Sequence, residues 1–160
     1  MVKCRMCDLI KKSSEISLYE DEYVYAFLSN SQQTYGKSIV ALKQHKTNFM
    51  ELDKKTRDAF MDGVVKVAKL LQKSLKPVHM NYEILGNYQP HIHCHIVPRY
   101  SNRKKDAFYN INLKNLNKKS AYKKDPFFAK YRLEPVISGH LAVKYKKTDE
   151  ELKKIKRKII

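Results

Sequence analysis

Cysteine is scarce, with three in 160 residues. An odd number, two of them in a tight Cys4-x-x-Cys7 pair, argues against the disulfide framework of a small secreted domain. No apolar run approaches the length that spans a bilayer, so no membrane association is expected. The opening Met-Val-Lys-Cys-Arg-Met-Cys lacks the apolar stretch of a signal peptide, and a cytoplasmic protein is expected. Acidic residues are also few. Sixteen Asp and Glu stand against 33 Lys and Arg, a formal net charge of +17. That balance implies attraction to polyanions: nucleotides, nucleic acid or an anionic surface. A lysine-rich compositional bias accounts for it equally well, because the excess is in Lys and not in Arg, whose planar fork pairs bidentately with phosphate. The 42% of hydrophobic residues suffices for one domain with a core and an appendage.

The densest information lies at His91-Ile92-His93-Cys94-His95-Ile96-Val97-Pro98-Arg99. Strict alternation with β-branched neighbours predicts a strand, since successive side chains leave a strand on opposite faces. His91, His93 and His95 then share one face, about 6.5–7 Å apart. Ile92, Cys94 and Ile96 take the other, which makes Cys94 a core residue.

Elsewhere the chain reads as alternating elements. Cys4 and Cys7 can supply half of a tetrahedral metal site, act as a redox pair, or simply be buried. Two strands are predicted within residues 17–29 around Glu20-Asp21-Glu22, and another over 37–42. The clearest helix runs from Asp53, its cap, to Leu75, with Phe60, Met61, Val64, Val65, Ala68, Leu71 and Leu75 as its buried stripe. Gly63 weakens it. A strand over 81–85 and a tight turn over 86–90 lead into the histidines. His79 and His140 read as structural. Residues 101–124 mix lysines with aromatics, as a solvated loop or a single-strand nucleic-acid surface would. A strand is predicted over 140–145, and Thr148 with Glu151 forms a capping box for a final helix that docks Leu152, Ile155 and Ile159.

Taken together, these segments resemble the histidine triad (HIT) family, whose mark is His-φ-His-φ-His-φ-φ with φ apolar. The resemblance covers residues 4–100 and includes Cys4-x-x-Cys7, Ala26 to Asn30, Gly36-Lys-Ser-Ile-Val and Lys43-Gln-His45. It implies an α+β fold, a HIT-like antiparallel sheet with a long packing helix, here over residues 1–100; residues 101–160, which the resemblance does not cover, read as a C-terminal basic extension of loop, strand and helix packed on or beside that domain. It implies a homodimer and a nucleotide substrate: a dinucleoside polyphosphate, a nucleoside phosphoramidate or a related conjugate. His93 would be the nucleophile on the α-phosphorus, forming a covalent nucleotidyl-histidine, and His95 its helper at the phosphate or leaving group. An unprotonated imidazole nitrogen is a competent nucleophile near neutral pH, provided the other nitrogen fixes the tautomer. Asn30 would contact the ribose, with Asn87 and Gln89 near the α-phosphate; the turn before His91 is shorter than the family's common version. In metal-bearing members a structural zinc is held by positions that map to Cys4, Cys7, His45 and His91, a closed tetrahedral set.

Two other functions compete. The histidines could bind a catalytic metal. Alternatively, the chain could be a nucleic-acid-binding or nucleic-acid-end deadenylating protein that uses the basic extension, with salt-steep binding to long polyanions.

Overall fold

The structure is a computed structural model that describes residues 4–12, 15–86, 89–101, 105–106 and 146–160. Asn87, the predicted strand over 140–145 and nearly all of the basic segment 101–124 lie outside the described residues.

Cys4 immediately precedes a short helix that the sequence did not announce, α1 (Arg5–Lys11). Strands β1 (Ser17–Glu20) and β2 (Val24–Leu28) follow as a hairpin. Asp21 builds its turn: one carboxylate oxygen accepts from the N–H groups of Tyr23 and Val24, both at 2.9 Å, and the other from the Tyr19 hydroxyl at 2.8 Å. Strand β3 (Ser38–Leu42) pairs with β2. A long helix α2 (Lys54–Leu75) begins where Asp53 accepts from the Thr56 N–H at 2.9 Å. Strands β4 (His79–Glu83) and β5 (His93–Arg99) complete one five-stranded antiparallel sheet of order β1-β2-β3-β5-β4. The predicted α+β class holds.

Alternation along the strands sorts the core onto two faces. Val24, Ala26, Leu28, Val40, Leu42, Cys94 and Ile96 pack with Phe60, Val64, Val67 and Leu71 of α2. Tyr25, Phe27 and Ala41 emerge on the other side, where Met6 of α1 covers part of them. Every residue of β2 is buried, because it is a central strand covered on both faces.

Three details depart from the sequence expectations. The apolar stripe of α2 is rotated: Gly63 and Val67 are buried, while Met61 and Val65 remain 40% and 45% exposed. An added Cβ on Gly63 would lie 2.6 Å from Val24 Cγ2, so helix and sheet approach closely at this glycine. The fourth strand begins at His79 and ends at Glu83, which leaves Ile84 and Leu85 exposed beyond it. The last strand begins at His93, two residues later than the alternation suggests, because the turn at Gln89 has the His91 N–H donating back to the Gln89 carbonyl at 2.7 Å.

The final helix α3 (Asp149–Lys156) carries the predicted capping box, with the Glu151 N–H donating to Thr148 Oγ1 at 3.3 Å and the Thr148 N–H to Glu151 Oε2 at 2.9 Å. Leu152, Ile155 and Ile159 all enter the main core. The end of the basic extension is therefore part of the body. Beside it, buried Arg99 pairs with buried Asp106 at 2.7 Å, tying the end of β5 to the chain that follows. Among the described residues no helix is long and apolar enough to cross a membrane.

Candidate active site and metal centre

Ala41 lies opposite His93 in the ladder, and Ile39 opposite His95, so both histidines leave β5 on the face away from α2. Their rings sit edge to face with centroids 4.9 Å apart. His93 is 6% exposed. Its Nδ1 lies 2.6 Å from the backbone carbonyl of His91. A carbonyl only accepts, so Nδ1 carries the hydrogen and the lone pair is left on Nε2. Cys94, between the two, points into the main core, and burial pushes its thiol up to about 11. It is an inert packing residue.

His95 is half-buried, and its Nδ1 is buried without a hydrogen-bond partner. Burial, then the Lys37 ammonium, then His93, push its pKa down to about 3. It is a neutral imidazole at physiological pH. Because Nδ1 has no acceptor, the tautomer with hydrogen on Nε2 is favoured.

His91 has left the strand face and turns toward Cys4, Cys7 and His45. It is 1% exposed, and Nε2 donates to the Leu42 carbonyl at 2.7 Å. That bond leaves the Nδ1 lone pair free, and Nδ1 faces Cys4 Sγ at 3.4 Å, Cys7 Sγ at 3.5 Å and His45 Nδ1 at 3.2 Å. Cys7 Sγ is also 3.4 Å from His45 Nδ1. All four donor atoms lie within 4.8 Å of one another. Ordinary zinc bond lengths in a tetrahedron separate sulfur from nitrogen by about 3.6 Å and two nitrogens by about 3.4 Å. The donor set thus fits a metal ion in type, number and spacing. Burial holds the His91 pKa below its usual range, which favours the neutral form a metal requires. The His91 bond to Leu42 is the outer contact that commonly orients a ligating imidazole. Local folding explains the grouping: Cys4 and Cys7 are three apart at the start of α1, so both thiols reach one side of it. His45 lies just past the end of β3, beside the start of β5.

The structure places the remaining predicted residues less centrally. Asn30 is exposed on the turn after β2, and its carbonyl accepts from the Lys147 N–H at 2.8 Å. Gln89 shapes the His91 turn through its own carbonyl. Two charged residues near His95 were not picked out from sequence. Lys37, two residues before Ile39, shares its face, and Glu83 of β4 lies opposite His95 in register. The alternation along Lys37-Ser38-Ile39 carried that information for Lys37. Its nearness to His95 depends on β3 pairing with β5, which no local pattern reveals.

A five-stranded antiparallel sheet with paired histidines on one strand, and a third drawn into a Cys2His2 cluster, is the arrangement of a histidine triad protein. A HIT-domain profile matches residues 11–102, and the chain belongs to the HIT family. It is 33% identical over 111 residues to the protein named hit of Bacillus subtilis, an alignment spanning 66% of this chain and 75% of that one. Among solved structures it resembles a hypothetical histidine triad nucleotide-binding protein of Sulfolobus tokodaii, with TM-score 0.57 and 26% identity over 62% of this chain and 70% of the other. A zinc-bound histidine triad family protein of Mycobacterium smegmatis shares the fold, with TM-score 0.57 and 24% identity over 65% and 80% of the two chains.

Proposed function

We propose that this protein is a nucleotide phosphohydrolase or nucleotidyl transferase that attacks the α-phosphate of its substrate through His93. The observation that carries the proposal is the 2.6 Å bond from His93 Nδ1 to the His91 carbonyl. It leaves a nucleophilic lone pair on Nε2. In the first step that lone pair forms a P–N bond to the α-phosphorus, the bond to the leaving group breaks, and the leaving group departs with its electron pair. Neutral His95, 4.9 Å away ring to ring, donates Nε2–H to a phosphate or leaving-group oxygen. In the second step water attacks the phosphorus, the P–N bond breaks, the lone pair returns to His93 and the water proton passes to solvent. Phosphoryl transfer needs chiefly positioning and charge stabilisation, and a rigid central strand supplies the first. Asn30, Asn87 and Gln89 are proposed to hold the nucleotide.

Cys4, Cys7, His45 and His91 are proposed to hold a structural zinc, a role supported by their donor spacing. Zinc bound there would supply no reacting group, because four protein ligands close its tetrahedron. Its contribution is to pin α1 and the residue whose carbonyl orients His93. We further propose a homodimer through β4, an edge strand that leaves Val78, Tyr82, Ile84 and Leu85 exposed around it.

The test is direct. Protein is incubated with a labelled dinucleoside polyphosphate or nucleoside phosphoramidate and acid-free quenched, and label is sought on His93 by peptide mapping. Wild type is expected to carry it and to turn over substrate, while His93→Ala carries none and loses about 10³-fold or more in rate. Absence of both adduct and turnover across that panel would reject the proposal.

A further inference from the structure

Lys37 is held with unusual care for a lysine. Gly36 before it sits at φ +82, a left-handed conformation that favours glycine, and its N–H donates to Gln32 Oε1 at 2.8 Å. The Lys37 N–H donates to the Thr34 carbonyl at 3.1 Å. The Lys37 carbonyl accepts from the Ser29 N–H at 2.9 Å and from Gln32 Nε2 at 2.8 Å. Buried Gln32 thus clamps the backbone on both sides of Lys37. The side chain is half-buried, and its ammonium donates to Gln33 Oε1 at 3.1 Å.

Among the described residues, the Lys37 ammonium has no carboxylate within ion-pair distance. Glu83 is its charged neighbour, felt only at longer range. His95, opposite Glu83 in the ladder, is close enough for the ammonium to disfavour its imidazolium. A half-buried cation beside a neutral imidazole and a single neutral acceptor is costly to desolvate. An anion beside His95 would offset that cost. Lys37 comes one residue before β3 and two before Ile39, which lies opposite His95 in the ladder, so it lies toward the same sheet face as His93 and His95 of β5. The anion such a row meets, in a protein whose nucleophile is His93, is a phosphate.

We propose that Lys37 is a substrate-binding residue whose ammonium contacts a non-bridging phosphate oxygen of the nucleotide beside His95. The inference rests on the phosphoryl reading of His93 and adds a fixed positive charge beside neutral His95. Gln33 aims the ammonium, and Glu83 keeps the local charge balanced before substrate arrives. The proposed selectivity is for the phosphate, not for the base.

The experiment compares adenosine 5′-monophosphate with adenosine by titration calorimetry, using the full chain of wild type, Lys37→Met and Lys37→Arg, with thermal melting as a folding control. Wild type is expected to bind the monophosphate more tightly than the nucleoside. Lys37→Met should shrink that ratio roughly tenfold or more, the scale of one charge-assisted hydrogen bond. Lys37→Arg, which retains the cation, should restore most of it. A ratio unaltered in Lys37→Met, or equal losses for both ligands, overturns the inference, since damage to the fold weakens both alike. The His93 adduct assay tests the underlying reading separately. Label on His93 with an unaltered ratio rejects Lys37 alone. A wild type with no adduct and no preference for the monophosphate rejects both.

Discussion

Replacing Gly63 with alanine sets two effects of known size against each other. The helical backbone there suits alanine, which stabilises a helix interior by about 1 kcal/mol relative to glycine. Against this, the new Cβ would lie 2.6 Å from Val24 Cγ2, 3.1 Å from Cγ1 and 3.3 Å from Cβ. Carbon atoms prefer roughly 3.5–4.0 Å. Val24 is 0% exposed in the central strand β2, so it cannot swing into solvent. Overpacking of this kind costs about 1–3 kcal/mol. The steric term wins, and Gly63→Ala is expected to lose about 1 kcal/mol net, read as a fall of about 3 °C in the melting temperature. The mechanism has a sharper signature in a double-mutant cycle. Val24→Ala alone opens a cavity and costs about 2 kcal/mol. Combined with Gly63→Ala, part of that space is filled, so the pair should lose at least about 1 kcal/mol less than the sum of the singles. Urea melts of the four proteins measure it. A Gly63→Ala protein more stable than wild type, or strict additivity, would refute close approach of α2 to β2 as the reason for this glycine.

The remaining predictions concern the site. The purified protein is expected to carry about one equivalent of zinc, and Cys7→Ser to lose it; metal analysis with retained zinc in the variant rejects the assignment. A ligand present at about 100 times its dissociation constant stabilises a fold by about 2.7 kcal/mol, so chelation should lower the melting temperature and free α1 to proteolysis. The His95 pKa is depressed to about 3, first by burial, then by Lys37 and His93, with Glu83 across the ladder. As pH falls below its ordinary value of about 6.5, the unfolded chain takes up a proton that the folded chain does not. Its contribution to stability is therefore complete above pH 6.5 and drains away toward pH 3. Urea melts of wild type should fall more steeply with pH than those of His95→Gln over that interval, by up to about 1.4 kcal/mol per pH unit. Parallel curves would contradict a buried neutral His95.

Much of the site was legible in the chain because the signals were local. Alternation at His93, Cys94 and His95 follows from strand geometry alone, so both the shared face and the core position of Cys94 were readable. Asp53 and the Thr148–Glu151 box announced their helices through hydrogen-bonding chemistry that spans three residues. The rotated stripe of α2 was less accessible. Met61 and Val65 are as apolar as Val67, and only the sheet beneath decides which of them face it. His91 was misplaced on the strand because a turn at Gln89 ends the ladder early, and pairing with β3, not the pattern, sets where a strand begins.

The sequence by itself determined the residue types and the short-range geometry: imidazoles at a two-residue period, a strand to carry them, and two thiols three apart. The tertiary structure decided which nitrogen is free. The His93 tautomer depends on where the His91 carbonyl points, and the His91 lone pair depends on the Leu42 carbonyl 49 residues away in the chain. It also brought Lys37, just before β3, near His95 of the paired strand β5. Such contacts arise from strand register and burial, which are properties of the packed chain and are not encoded within any one segment of it.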